Sequence, residues 1–199
     1  MPLGAFKAAL MGTAGATAAG DVVLLHDTDY SNAASASITS GINSTYGEYI
    51  FKFYNINPAT DATTFMFQFN AAGASGYNET ITSTYFRQYH YEDDSGAGGL
   101  GFQASPSQDQ GTSFQNLIYS IGNGGDENGV GELHLFNPAS TTYVKHFMGR
   151  SNAYLSNAND GSYEVFVGGY INTTTAIDDI QFKMSSGNFD GTIKMWGVK

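Results

Sequence analysis

Large hydrophobic side chains recur at every second position along most of this chain. Over 46–56, Tyr49, Phe51 and Phe53 alternate with Ile50, Lys52 and Tyr54; over 64–70, Phe65, Phe67 and Phe69 share one side. Over 81–91, Tyr85, Arg87, Tyr89 and Tyr91 fall on one side and Phe86, Gln88 and His90 on the other. Towards the C-terminus Ile180, Phe182 and Met184 alternate with Gln181 and Lys183, and Ile193 and Met195 flank Lys194. A period of two is the mark of a half-buried β-strand, because successive side chains leave the pleat on opposite faces. The same reading predicts strands over 22–25, 36–42, 114–121, 130–136, 143–148 and 163–170. Turn chemistry separates them. Asn57-Pro58-Ala59-Thr60-Asp61 has a proline to set φ and Asn and Asp to cap the bend, and Gly187, Asn188 and Gly191 suit left-handed backbone angles.

About ten strands and almost no helix predict an all-β domain, an antiparallel β-sandwich of jelly-roll type. Segments 114–121 and 130–136 read as a hairpin, and 177–184 with 192–198 as a closing one. Residues 92–111, rich in Gly, Ser, Asp and Gln, read as the longest irregular loop. Loops of that length in compact domains disproportionately act or contact a partner. No unit repeats at a fixed period, which disfavours propellers and solenoids.

Composition narrows the class further. With 199 residues, one domain over 21–199 is expected, large enough to bury a core without staples. The lack of cysteine removes disulfides, thiolate metal sites and cysteine nucleophiles together. The formal charge is −10 and the only arginines are Arg87 and Arg150. Nucleic acids and anionic membrane surfaces attract clustered cations, so neither is an expected partner. No apolar run reaches the roughly 18 residues of a membrane-spanning helix.

Residues 1–20 stand apart, mostly Ala, Gly and Thr with Lys7 as the one charge. Leu3, Phe6 and Leu10, at i, i+3 and i+7, predict a short amphipathic helix and hence a docking or assembly arm. A secretory leader ending in Ala-Thr-Ala-Ala-Gly is the competing reading, against which Gly12 and Gly15 interrupt the apolar stretch.

Candidate chemistry is sparse. His26, His90, His134 and His146 show no metal-ligand spacing and read as structural, and there is no Gly-x-Ser-x-Gly elbow. No catalytic residue, metal site or cofactor is therefore expected. The acidic groups Asp27/Asp29, Glu92 to Asp94, Asp126/Glu127 and Asp178/Asp179 read as solvated turns. Two of them would have to meet in one cleft, about 5–10 Å apart, to cleave glycosides as a depolymerase does. The most suggestive surface is the Tyr85, Arg87, Tyr89, Tyr91 side of one strand. Such a row can line the core, meet a second subunit or stack on sugar rings.

Three further patterns carry a resemblance. The first is Leu24-Leu25-His26-Asp27-Thr28, a small-residue run to Ile42, then Tyr46 to Phe53; the second is Phe67-Gln68-Phe69-Asn70 followed by Gly76-Tyr77-Asn78. The third is Ala176-Ile177 through Ile180, then Gly187-Asn188-Phe189 and Gly191 to Val198, with Trp196 where tyrosine is usual. In these the chain resembles a group of tailed-phage virion structural proteins over roughly residues 22–199. The resemblance implies a β-sandwich displayed on the particle, as a capsid decoration or a tail-fibre module. The reading built on it takes other phage structural proteins as partners, a homo-oligomer with a trimer favoured, and in the adhesin alternative a host surface glycan. Its motifs are strand ends and turns, so it carries over no catalytic residue.

Overall fold

The computed structural model describes residues 21–155 and 160–199, so the arm with Leu3, Phe6 and Leu10 lies outside the described residues. The strands are β1 (Val22–Ala33), β2 (Ala36–Ile38), β3 (Glu48–Pro58), β4 (Thr63–Ala71), β5 (Ile81–Tyr91) and β6 (Ala97–Phe102). They continue with β7 (Gln115–Ile121), β8 (Gly129–Phe136), β9 (Lys145–Leu155), β10 (Gly161–Ile171), β11 (Ile177–Met184) and β12 (Phe189–Val198). All pairings are antiparallel. One layer runs β1-β12-β3-β8-β9-β10-β5-β6 and the other β2-β11-β4-β7, joined at one corner by the pair Ile121–Leu155.

The alternation read from sequence becomes the interior. Phe51, Phe53, Phe147 and Phe189 from the larger layer meet Phe65, Phe67, Phe69 and Phe182 from the smaller one, all buried. Phe182 lies 5.0 Å from Phe53 and 5.7 Å from Phe51 between ring centres, and Phe147 lies 5.3 Å from Phe67. Tilted and edge-on rings at these separations add a quadrupolar term to the burial that drives the layers together.

Three expectations are corrected. The closing strands are not a hairpin: β11 pairs with β2 and β4, whereas β12 pairs with β1 and β3, so the chain changes layer at Ser185–Asn188. For the same reason β7 and β8 are not hairpin partners, since β7 lies beside β4 and β8 between β3 and β9. Residues 92–111 are not all loop, because β6 pairs with β5 there. Among the described residues the strand count accordingly rises to twelve. β9 also runs on to Leu155, past the expected end at 148. Its inward positions there are Ser151, Ala153 and Leu155, and two of these are too small to advertise a strand. Pairing with β8 on one side and β10 on the other extends it regardless of propensity.

The layer change at 185–191 depends on its glycines. Gly187 has φ +73°, and a Cβ there would lie 2.4 Å from Thr60 Oγ1 in the neighbouring β3–β4 crossover. Asn188 stitches the same corner, its carbonyl accepting from Ala59 N–H at 2.8 Å and its amide donating to the Asn32 carbonyl at 3.0 Å.

Candidate functional site

The β5 row splits into two parts. Tyr85 is fully buried, while Arg87, Tyr89 and Tyr91 are half-buried towards the end of the strand. Antiparallel register sets Tyr163 of β10 opposite Tyr89, with the two rings stacked at 5.9 Å. Tyr119 of β7 closes in from the other layer, 5.0 Å from Tyr163. The Arg87 guanidinium lies 4.9 Å from the centre of the Tyr119 ring and 5.4 Å from that of Tyr163. Cation–π contacts of this kind favour a guanidinium partly withdrawn from water. On the β6 side two glycines give the rings room. A Cβ on Gly98 would sit 2.3 Å from the Tyr89 ring, and one on Gly96 3.0 Å from Tyr91.

Burial sets the ionisation of the cluster. It pushes the Tyr163 hydroxyl up to about 12, with Arg87 opposing and the neighbouring tyrosines adding to the rise. Tyr85 is raised further, again by burial first. Tyr85 Oη is also the one buried side-chain polar atom among the described residues with no hydrogen-bond partner. Its electrostatic neighbours are Tyr163, Arg87 and Tyr119, so it belongs to the same cluster.

Both hydroxyls have folded pKa values above the ordinary 10.0, so the fold favours their neutral forms. The associated stability is complete below about pH 10 and is lost as pH rises through about 12. Of the thirteen tyrosines, Tyr85 and Tyr163 are expected to ionise only together with alkaline unfolding. Phenolate absorbance followed beside far-UV circular dichroism checks this. Complete titration near pH 10 with the fold intact would show the cluster open to water.

Beside Arg87 a cleft of about 410 Å³ opens between β5 and β7, walled by residues 103–108 and 113–116. The wall is tied down. Gln103 N–H donates to the Tyr85 carbonyl at 2.9 Å, Ser107 Oγ accepts from Tyr85 N–H at 3.0 Å, and Ser83 N–H donates to the Gln108 carbonyl at 3.0 Å. Two buried glutamines anchor it from below. Gln115 Nε2 donates to the Pro106 carbonyl at 2.9 Å while its Oε1 accepts from Ser83 Oγ at 2.6 Å. Gln68 Nε2 reaches the carbonyls of Glu79, Thr112 and Ser113 at 3.0–3.2 Å. The walls are hydroxyls, amides and the rings of Phe114 and Tyr119, and among the described residues Arg87 is the one charged residue lining the cleft.

The remaining candidates lie elsewhere. Asp27 pairs with Lys194 at 2.9 Å and Asp29 accepts from Thr192 at 2.6 Å on the β1–β12 edge. Asp178 and Asp179 stand within β11, a departure from the turn expected there. His134 Nδ1 lies 2.5 Å from Glu48, His90 lies 3.2 Å from Asp94, and His26 contacts Tyr30 at 3.3 Å. Burial lowers the His26 pKa, with Asp27 opposing. Among the described residues no three His, Asp or Glu side chains group to hold a metal ion. Sequence reasoning missed Tyr119, Tyr163 and the glutamine anchors. Tyr163 and Tyr119 were visible as strand residues, but only the pairing of β10 with β5 and the packing of β7 set them beside Arg87.

In comparisons with known proteins, no family model and no curated protein matches the chain.

Proposed function

We propose that this chain is a non-enzymatic β-sandwich displayed on the surface of a phage particle, attached through residues 1–20 and assembling with copies of itself, a trimer being favoured. It would be made in the host cytoplasm and carried on the virion. The supporting observation is the 185–191 corner. Of the residues that carry the resemblance, Gly187 and Asn188 turn the chain from one layer to the other, and Gly191 and the buried Phe189 open β12 directly after the turn. Assembly is supported by the outer face of the larger layer. There Phe86, Phe102 and Met148 are exposed around Phe166, and the Arg150–Glu164 and Lys52–Glu132 pairs bring both charge signs to that face. A second copy presents the same mixture and can satisfy it.

The test is incorporation. Particles grown with a version lacking residues 1–20 are expected to lose the protein while the truncated chain stays folded and soluble. Undiminished incorporation would overturn attachment through the arm, and absence of the full-length chain from purified particles would overturn the virion role.

A second reading, a glycan-binding host-receptor adhesin, is favoured by the cleft beside Arg87. Rigid aromatic rings with neutral hydroxyl and amide groups around a concave wall are the chemistry that holds a sugar.

A further inference from the structure

We infer that the Arg87 cleft binds an acidic saccharide, the guanidinium taking the carboxylate of a uronic or sialic acid unit. The inference rests on the saccharide-binding reading of the same cleft and names the ligand class.

Four observations converge. First, the chain has two arginines, and they are used differently. Arg150 is held by Glu164 on the outer face of the larger layer. Arg87 has no carboxylate partner among the described residues, whose Lys and Arg ion pairs are Lys52–Glu132, Arg150–Glu164 and Lys194–Asp27. It is held instead over Tyr119 and Tyr163, contacts that position the planar fork but accept none of its five N–H donors in the ring plane. A half-buried guanidinium with open donors is matched by a carboxylate, which takes two of them side by side.

Second, the local charge runs against that of the molecule. The formal charge is −10, yet no Asp or Glu lines this cleft, and Asp109, next to Gln108, is exposed and outside the wall. Phe114, on the same wall, has the Lys183 ammonium 4.2 Å from its ring centre, and Lys183 forms none of the chain's ion pairs among the described residues. The one charge that the described residues bring to this concave lining is therefore positive.

Third, the rest of the wall suits a polyol better than a bare anion. Ser105 and Asn116, with the side-chain carbonyls of Gln103 and Gln108, whose amides already donate to Gly101 and Ser113, offer polar groups beside the rings of Phe114 and Tyr119, and about 410 Å³ lies within the range of roughly 300–1,000 Å³ found for small-molecule sites. A peptide carboxylate would use the arginine and leave most of these groups idle.

Fourth, the site is already organised. The 103–108 wall is bonded to β5 and propped by Gln115, so little ordering opposes binding.

Isothermal titration of the full chain tests the inference with three kinds of probe. These are tri-galacturonate and sialyl-lactose as acidic saccharides, their carboxyl-reduced counterparts, and sodium acetate or sulfate alone. At least one acidic saccharide is expected to bind tenfold or more tightly than its reduced form, with acetate and sulfate weaker still. Arg87→Gln is expected to remove that preference, Arg87→Lys to keep part of it, and Arg150→Gln to leave it intact. Thermal midpoints of each variant separate lost binding from lost folding. Equal binding of acidic and reduced saccharides, unaffected by Arg87→Gln, overturns the inference and leaves the saccharide reading standing. Sulfate or acetate binding as tightly as the saccharides reduces the site to a simple anion pocket and also overturns it. Binding of none of the probes overturns both.

Discussion

Phe182→Ala is expected to lower the free energy of unfolding by about 3–5 kcal/mol, the range for truncating a fully buried phenylalanine. The ring belongs to β11 in the smaller layer, yet its neighbours Phe51 and Phe53 belong to β3 in the larger one. It also stacks on Phe65 at 5.8 Å within its own layer. Truncation therefore opens a cavity at the seam between the layers, where neither sheet can close in without breaking its own ladder. Domains are stable by only about 5–15 kcal/mol, so the loss is a large share of the total. Urea unfolding is the measurement, with Phe182→Leu as the milder comparison expected to lose clearly less. A midpoint unchanged by Phe182→Ala would mean that the layers are not held together by this aromatic seam.

Gln68→Leu is expected to cost about 2–3 kcal/mol and to loosen the wall of the cleft, since a buried group left without its partner loses about 1–3 kcal/mol. Gln68 is fully buried, and its amide serves three carbonyls while Phe69 N–H donates back to its Oε1 at 2.8 Å. Leucine fills the space but leaves the Glu79, Thr112 and Ser113 carbonyls without that donor. Faster amide hydrogen exchange is expected around 112–116, next to the cleft, with little change on the distant β1–β12 edge. Gln181→Leu, at a glutamine whose side chain donates to the exposed Ser37 hydroxyl, is the control and should stay within about 0.5 kcal/mol. Equal exchange in both variants would show that Gln68 does not hold this wall.

Gln68 also marks where the period-two reading stops being sufficient. The alternation of Phe65, Phe67 and Phe69 assigns Met66, Gln68 and Asn70 to a solvated face. In the structure Gln68 and Asn70 are buried as well, because the segments around 79 and 112–113 fold over that side of β4. Periodicity reports which residues share a face. It says nothing about a distant loop that covers the polar one.

The same distinction runs through the candidate site. Tyr85, Arg87, Tyr89 and Tyr91 were legible as one row, because the backbone makes alternate residues share a side. Their different fates were not. Tyr85 lies beneath Ser107 and Gln103, whereas Arg87 emerges where Tyr119 and Tyr163 come within reach, and those partners lie 32 and 76 positions further along the chain.

Local chemistry determined the all-β class, most strand positions and the aromatic make-up of the core, since each depends on neighbours within a few residues, whereas the turn expected over Asn57–Asp61 falls two residues later because Asn57 and Pro58 stay paired in β3. Only the tertiary structure decided that β11 and β12 part into opposite layers, that β6 extends the larger one, and that Arg87 faces a cleft without a carboxylate. Those outcomes depend on which distant strands pair, and pairing is chosen by burial summed over the whole sandwich.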